Sequence, residues 1–271
     1  MNWLSKLVLN NFEMPIKDAV ARPLAESNWE AIHNYIWNGD ANYKGNVYYV
    51  SPDGDDTNDG KTAQTPFKTI MHAYWVGVYP IACNRSTFTI MLASGTYNEN
   101  VIIGNTDNDL KVNIFLGGDV TINGCIGVLN TKCWIFGTTG NEILTIIGTA
   151  NSSNLGEAKN PLIVSESGEL YINVRTSIME TETNLEYCVI VSFCSTLCVL
   201  AYMTISGTFT TAGIRSNSST IRAYINSSNI NADMTFYATD SLIQSIATLE
   251  DQTIGGYCNL YTGTRLTEYT P

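Results

Sequence analysis

The strongest constraint on the fold is a repeated pattern of short apolar segments in the second half of the chain. Similar segments begin at Leu170, Leu197 and Ile221, so successive starts are 27 and 24 residues apart. In each segment apolar residues alternate with polar ones, which is typical of β-strands with one buried face. A repeat of this length matches one turn of a β-solenoid, and the Gly, Asn, Ser and Thr clusters between the strands predict turns.

A β-sandwich or jelly roll is the alternative fold, because both also contain many short alternating strands. The solenoid is favoured because hairpin dipeptides are few and because Asn and Ser punctuate the strands. Strands earlier in the chain show the same alternation of apolar residues, namely Phe88, Ile90 and Leu92, then Val112, Ile114 and Leu116.

Residues 47–101 hold the most specific motif of the chain. A short strand is followed by an Asp- and Gly-rich turn at 53–60, a helix at 69–78, a buried strand and a tight corner at Gly95-Thr96-Tyr97. This order resembles the first turn of right-handed parallel β-helices of the pectate-lyase-like superfamily. The resemblance implies an all-β fold, a right-handed single-stranded parallel β-helix whose early helix closes the end of the solenoid. The helix residues expected to face inward are Ile70, Ala73 and Tyr74.

The pattern divides the chain into three parts: a short N-terminal helical segment at 1–45, the β-helix with its cap at 46–250, and a C-terminal tail or cap at 251–271. In the first part, Ser27 followed by Glu30 forms a capping box for a helix. Two interpretations of that helix stay open. It packs against the solenoid or within a trimer, or it docks the chain onto a virion.

Charge and hydropathy exclude several classes of partner. The net charge of −11 argues against nucleic acid and anionic membrane, because both need a basic surface. No run approaches the roughly 20 apolar residues of a membrane span, and the N-terminus lacks the apolar core of a signal peptide. We therefore expect synthesis in the cytoplasm.

The composition suits the turns of a solenoid. Only 14% of the residues are charged. Asn, Thr, Ser and Gly take the place of charged residues, as the polar turns of a solenoid require.

No cofactor or metal site is predicted. The seven cysteines include no Cys-x-x-Cys pair and only two histidines are present, so the cysteines are interpreted as buried thiols. Asp53, Asp55 and Asp59 in the acidic turn are the candidate calcium ligands. Their spacing does not fit an EF-hand loop, because counting from either Asp53 or Asp55 leaves the twelfth position without Glu. Asx turns, in which the carboxylates bond nearby backbone N–H groups, are the favoured interpretation.

Carbohydrate cleavage is the enzymatic activity that the resemblance implies, since the superfamily includes lyases and glycoside hydrolases. Hydrolysis needs two carboxylates about 5 to 9.5 Å apart. Glu180 and Glu182, two residues apart on one strand, are the candidate pair, and Glu166 and Glu169 come near to the same requirement. The calcium-binding Asp and the Arg residues of pectate lyases do not carry over onto this sequence residue by residue, so surface glutamates are the favoured interpretation.

Four tyrosines, Tyr171, Tyr187, Tyr202 and Tyr224, alternate out of phase with the inward residues, and several of them are expected to face outward. If the repeats are aligned, Tyr171, Tyr224 and the residue opposite Tyr202 approach a ladder along the solenoid, which makes Tyr171, Tyr202 and Tyr224 the candidate binding or interface residues. Tyrosines in such a place stack on sugar rings or build a subunit interface. Both uses stay open.

The resemblance extends to fibres and tailspikes of bacteriophages. We therefore expect a virion protein assembled in the host cytoplasm: a short tail or head fibre with a structural role that recognises a host-surface glycan receptor. Its other partners would be virion proteins bound through residues 1–45. The alternative is a polysaccharide-degrading tailspike, either a lyase or a glycoside hydrolase. A bacterial surface adhesin is disfavoured by the lack of an export signal.

A solenoid exposes its ends and its lateral faces unless something covers them. We expect a homotrimer that buries these surfaces. Light scattering should then give a mass three times that of the 29.7-kDa chain, and a monomer would contradict the expectation.

Overall fold

The computed structural model describes residues 47–81, 87–104, 111–148, 160–180, 185–231, 234–245, 254–262 and 265–269. The helical segment expected at 1–45 lies outside these residues. One helix and eighteen strands occur in the described part of the chain. They are β1 (Val47–Val50), α1 (Ile70–Ile81), β2 (Thr87–Leu92), β3 (Gly95–Tyr97), β4 (Val101–Gly104), β5 (Lys111–Leu116), β6 (Val120–Asn123), β7 (Ile126–Leu129), β8 (Lys132–Gly137), β9 (Ile143–Gly148), β10 (Leu162–Ser165), β11 (Glu169–Asn173), β12 (Arg175–Glu180), β13 (Leu185–Ser192), β14 (Thr196–Asn217), β15 (Thr220–Asn231), β16 (Met234–Ser245), β17 (Ile254–Thr262) and β18 (Arg265–Tyr269).

The strands form a parallel β-solenoid, which confirms the prediction of an all-β parallel β-helix with one early helix. Each turn contributes one strand to each of three faces. Face A contains β2, β5, β8 and β11, face B contains β3, β6, β9 and β12, and face C contains β4, β7, β10 and β13. The long β14 then pairs with all three faces in succession. Strands β15 to β17 continue the parallel pairing, and β18 reverses direction to pair antiparallel with β17.

Inward side chains form continuous columns because neighbouring strands pair in register. One column on face A runs through Phe88, Val112, Cys133, Leu170, Leu197, Ile221 and Ile243. Each of these side chains is 0% exposed, and burying a residue of this size contributes about 1.5–3 kcal/mol. The repeat read from the sequence is confirmed, since its three predicted starts lie directly beside one another in this column.

The alternation predicted along 197–205 is confirmed at the residues that define it. Leu197, Val199, Met203 and Ile205 are buried, and the out-of-phase Leu200 and Tyr202 are 58% and 47% exposed. The register of β14 against β15 shifts between Val199 and Tyr202, where the chain passes from face A to face B. A corner therefore adds residues that belong to neither face.

Helix α1 packs on the first turn as the resemblance implied. Ile70, Ala73 and Tyr74 are each 0% exposed and belong to the same hydrophobic core as Phe88. The carboxylate of Glu99 accepts hydrogen bonds from the backbone N–H groups of Ile70 (2.8 Å) and Met71 (3.0 Å) at the start of the helix. Such a carboxylate satisfies amides that have no partner within the helix. In the described part of the chain, no helix is long and apolar enough to cross a membrane.

The corner between faces C and A repeats a left-handed backbone conformation. Positive φ angles of 48° to 64° occur there on five successive turns, at Asn130, Ser167, Cys194, Ser218 and Asp240. Non-glycine residues rarely adopt this conformation. Backbone hydrogen bonds between turns hold the corner in place, for example from Cys194 N to the Ser218 carbonyl oxygen (3.0 Å).

This corner corrects the interpretation that the cysteines are buried. Cys125, Cys133, Cys188 and Cys198 are buried thiols, whereas Cys194 is exposed. The left-handed backbone at Cys194 directs its side chain away from the core, and the buried position falls to the next residue, Ser195. Cys83 and the Cys258 side chain lie outside the described residues.

The corner between faces A and B contains a buried carboxylate. Glu142 is 4% exposed, and its Oε1 accepts hydrogen bonds from Thr138 Oγ1 (2.9 Å) and from the Thr139 backbone N–H (2.5 Å). Its Oε2 lies so close to Gly137 that a Cβ atom at that position would collide with it. Desolvation acts to raise the pKa of Glu142, but these hydrogen bonds outweigh it and lower the pKa to about 2.

We predict that Glu142→Gln lowers stability at neutral pH. A carboxylate whose pKa is depressed in the folded state stabilises the fold above its unfolded pKa, and that contribution is lost as the pH falls through the folded value. The difference between the variant and the wild type should therefore be full at pH 7 and should shrink between pH 4.5 and about 2. Urea unfolding across this range measures it. The matched control, Glu166→Gln at an exposed corner, should show no such trend, and a pH-independent difference for Glu142→Gln would contradict the assignment.

Candidate functional site

Four aromatic side chains form a contiguous row on the outside of face A. Phe115, Trp134, Phe136 and Tyr171 occupy outward positions of β5, β8 and β11, out of phase with the buried column. Ring centroids are 5.2 Å apart for Phe115 and Phe136, 5.7 Å for Phe136 and Trp134, and 4.9 Å for Trp134 and Tyr171. We call these four residues the aromatic face. Register produces it, because Phe115 pairs with Phe136 and Trp134 pairs with Tyr171.

Charged side chains border the aromatic face along one edge. The Nζ atom of Lys111 lies 3.5 Å from the centroid of the Trp134 ring, a cation–π contact. Lys132 Nζ lies 2.9 Å from Glu169 Oε1, and the Tyr171 hydroxyl donates a hydrogen bond to Glu169 Oε2 (3.3 Å). Burial and the neighbouring Glu169 carboxylate both raise the pKa of Tyr171. The rings are partly buried, so each presents part of its surface to solvent.

This arrangement suits a ligand with an apolar surface and polar edges. Aromatic rings bury the apolar surface of a ligand, and a few placed polar groups fix its orientation. Strands β5, β8 and β11 lie on consecutive turns, about 4.8 Å apart. The platform therefore extends over about 10 Å along the solenoid axis.

Of the four predicted tyrosines, Tyr187 is buried and only 5% exposed, so an outward orientation is wrong for this residue. The other three do not share one location. Tyr171 belongs to the aromatic face, whereas Tyr202 lies at the corner between faces A and B. The backbone positions of Tyr202 and Tyr224 are neighbours in the register of β14 and β15, but Tyr171 aligns with Cys198 and Arg222 instead. The three positions therefore do not form a single ladder. The side chain of Tyr224 lies outside the described residues.

Sequence reasoning missed Trp134, Phe136 and Phe115. A signal was present, because Trp134 and Phe136 alternate with the buried Cys133 and Ile135. That alternation indicates an outward orientation, but it does not reveal which residue of the next turn lies alongside.

The side chains of the predicted carboxylate pair, Glu180 and Glu182, are not among those that the structure describes. Glu180 is the last residue of β12, its side chain lies outside the described residues, and so does Glu182. Their catalytic role stays a prediction. Of the near misses, Glu166 is exposed with a φ of 55°, and Glu169 is engaged by Lys132 at the edge of the aromatic face.

The candidate calcium ligands lie in a turn held together by its own carboxylates. Asp55 Oδ1 accepts hydrogen bonds from the backbone N–H and the hydroxyl of Thr57, both 2.8 Å long. Asp59 Oδ1 accepts from Lys61 N (3.1 Å) and Thr65 Oγ1 (2.6 Å). These hydrogen bonds lower the pKa of both carboxyl groups. The contacts are those of Asx turns, and no group of three or more potential ligands that could hold a metal occurs among the described residues.

No protein-family model matches the chain, and no match is found among curated proteins or among solved structures. Conclusions about function therefore rest on the solenoid and on the chemistry of its surface.

We predict that the aromatic face contributes little to stability compared with the column beneath it. Leu170 and Tyr171 are adjacent residues of β11, one fully buried and one on the outer surface. Leu170→Ala should cost about 2–5 kcal/mol of unfolding free energy, because it leaves a cavity. Tyr171→Ala should cost less than about 1.5 kcal/mol, the value of an aromatic contact. Urea unfolding of both variants compares them, and equal costs would indicate that the aromatic face is structural.

Proposed function

We propose that this chain is a carbohydrate-recognition protein of a bacteriophage appendage, a short tail or head fibre, that binds host-surface polysaccharide through its aromatic face. The observation that supports this proposal is the row of four aromatic rings bordered by Lys111, Lys132 and Glu169.

The chemistry of a sugar chain matches this surface. A pyranose ring has C–H groups on its faces and hydroxyl groups around its rim. Stacking on Trp134 or Tyr171 buries the C–H groups, while the ammonium and carboxylate groups at the edge are placed to bond hydroxyls. A platform of about 10 Å, three strands wide at 4.8 Å spacing, accommodates about two sugar rings.

The fold supports the assignment to an appendage. A parallel solenoid closed by a helix at its first turn resembles the pectate-lyase-like superfamily, in which fibres and tailspikes of bacteriophages occur. A rigid stack of turns presents a binding face at a fixed position along its axis. In this proposal the chain is a homotrimer, and residues 1–45 attach it to other virion proteins.

The contacts of Glu169, the carboxylate at the aromatic face, favour recognition over cleavage. Its Oε1 is paired with Lys132 and its Oε2 accepts a hydrogen bond from Tyr171. Both oxygens are therefore engaged by protein groups, whereas a glycoside hydrolase needs a pair of carboxylates that flank the scissile bond.

The test is glycan-array screening of the full-length chain, followed by calorimetry with the polysaccharide that binds. Tyr171→Ala and Trp134→Ala should each weaken binding about tenfold or more, which corresponds to about 1.4 kcal/mol. The matched control is Thr145→Ala, an outward residue of face B, which should bind as the wild type does. Binding that survives both aromatic substitutions, or no binding to any glycan, would refute the proposal.

A second measurement addresses turnover. The bound polysaccharide is incubated with the protein, and the release of reducing or unsaturated ends is followed. No release is expected. Release that is abolished by Glu180→Gln would instead establish the polysaccharide-degrading alternative.

A further inference from the structure

We propose that Asn113 and Trp134 form a polar subsite on the aromatic face that binds one hydroxyl group of a sugar ring. The hydroxyl donates to Asn113 Oδ1 and accepts from Trp134 Nε1–H. This inference rests on the proposed function and names the part of the ligand that the face selects.

Two residues that each have a buried polar atom without a partner are directly paired at this position. Within the described residues, three side-chain nitrogen or oxygen atoms are buried without a hydrogen-bond partner: Asn113 Oδ1, Trp134 Nε1 and Glu142 Oε2. Asn113 and Trp134 are directly paired in the register of β5 and β8. Two of the three unpartnered atoms are therefore on adjacent strands of face A, and one of the two belongs to a ring of the aromatic face.

Folded proteins rarely leave buried polar atoms unpaired, because the atoms lose their hydrogen bonds to water. The Glu142 carboxylate at least accepts two hydrogen bonds through its other oxygen. The indole of Trp134 has one hydrogen-bonding atom and that atom is unpaired. An unpaired atom of this kind on a candidate binding surface indicates a partner that arrives with a ligand.

The chemistry of the two atoms favours a partner that both donates and accepts a hydrogen bond. Asn113 Oδ1 can only accept a hydrogen bond, and Trp134 Nε1–H can only donate one. A carboxylate or phosphate dianion has no proton to donate to Asn113, and an ammonium group has no lone pair to accept from Trp134. A hydroxyl group does both at once, and sugars are rich in hydroxyl groups.

Lys111 lies where it can control access to this subsite. It precedes Asn113 by two residues on β5, so both side chains are on the outer face, and its Nζ atom lies over the Trp134 ring. A lysine side chain is flexible, and a single cation–π contact is weak at a surface. A sugar ring that stacks at Trp134 displaces the ammonium group and reaches the two unpaired atoms.

The test is a series of methyl glycosides and their monodeoxy analogues, each lacking one hydroxyl, titrated onto the full-length protein by calorimetry or NMR. Methyl glucoside, galactoside, mannoside and rhamnoside are the first probes. For the sugar that binds, removal of one particular hydroxyl should weaken binding about tenfold or more, because a site built for a hydroxyl rejects the analogue that lacks it. In Asn113→Leu, which removes the acceptor, the loss on removing that hydroxyl should fall below about twofold.

Matched variants keep the outcomes distinct. Asn123→Leu places the same substitution on face B and should retain the full penalty of the deoxy sugar, and Trp134→Phe should remove it while keeping an aromatic ring. A full deoxy penalty in Asn113→Leu would overturn the subsite while leaving glycan recognition intact, and would assign the two atoms to ordered water only. Failure of every glycoside and polysaccharide to bind the wild type would instead refute the proposed function.

Discussion

The in-register pairing of parallel backbones between turns is the interaction on which the rest of the structure depends. Each strand bonds to the equivalent strand of the next turn, so every position along a strand becomes a column along the axis. A shift by one residue would exchange the inner and outer side chains of a strand. The same register therefore produces both the fully buried column from Phe88 to Ile243 and the aromatic face from Phe115 to Tyr171.

Because of this register, neighbouring residues of one strand have different roles, one in the core and the next on the outer surface. Along β8, Cys133 and Ile135 lie in the core, while Trp134 and Phe136 belong to the aromatic face. The inner residues are fixed by packing, since changes of volume in a close-packed interior are costly. The outer residues are only partly buried, so we expect substitutions there to cost less stability than substitutions in the core.

Local periodicity in the sequence was sufficient to predict a β-solenoid and its inward residues, and the resemblance to parallel β-helices implied the helix that covers the first turn. The aromatic face could not be predicted in the same way. Trp134 and Tyr171 lie side by side although they are 37 positions apart in the sequence, whereas the steps from β2 to β5, β5 to β8, β11 to β14 and β14 to β15 are 21 to 27 positions at the residues of the buried column. Only the paired backbones reveal which outer residues are neighbours. The exposed Cys194 was missed for a related reason, since the left-handed corner at 193–194 leaves no mark in apolar alternation.

The reversal of the chain at β18 has a consequence for assembly. A stack of parallel strands can in principle be extended by another molecule that adds its own first strand to the free edge. Because β18 runs antiparallel to β17, it occupies an edge of β17 without continuing the parallel pairing found throughout the stack. A strand that paired with the outer edge of β18 would meet a backbone of the opposite direction, so β18 disfavours simple extension of the parallel stack along this edge.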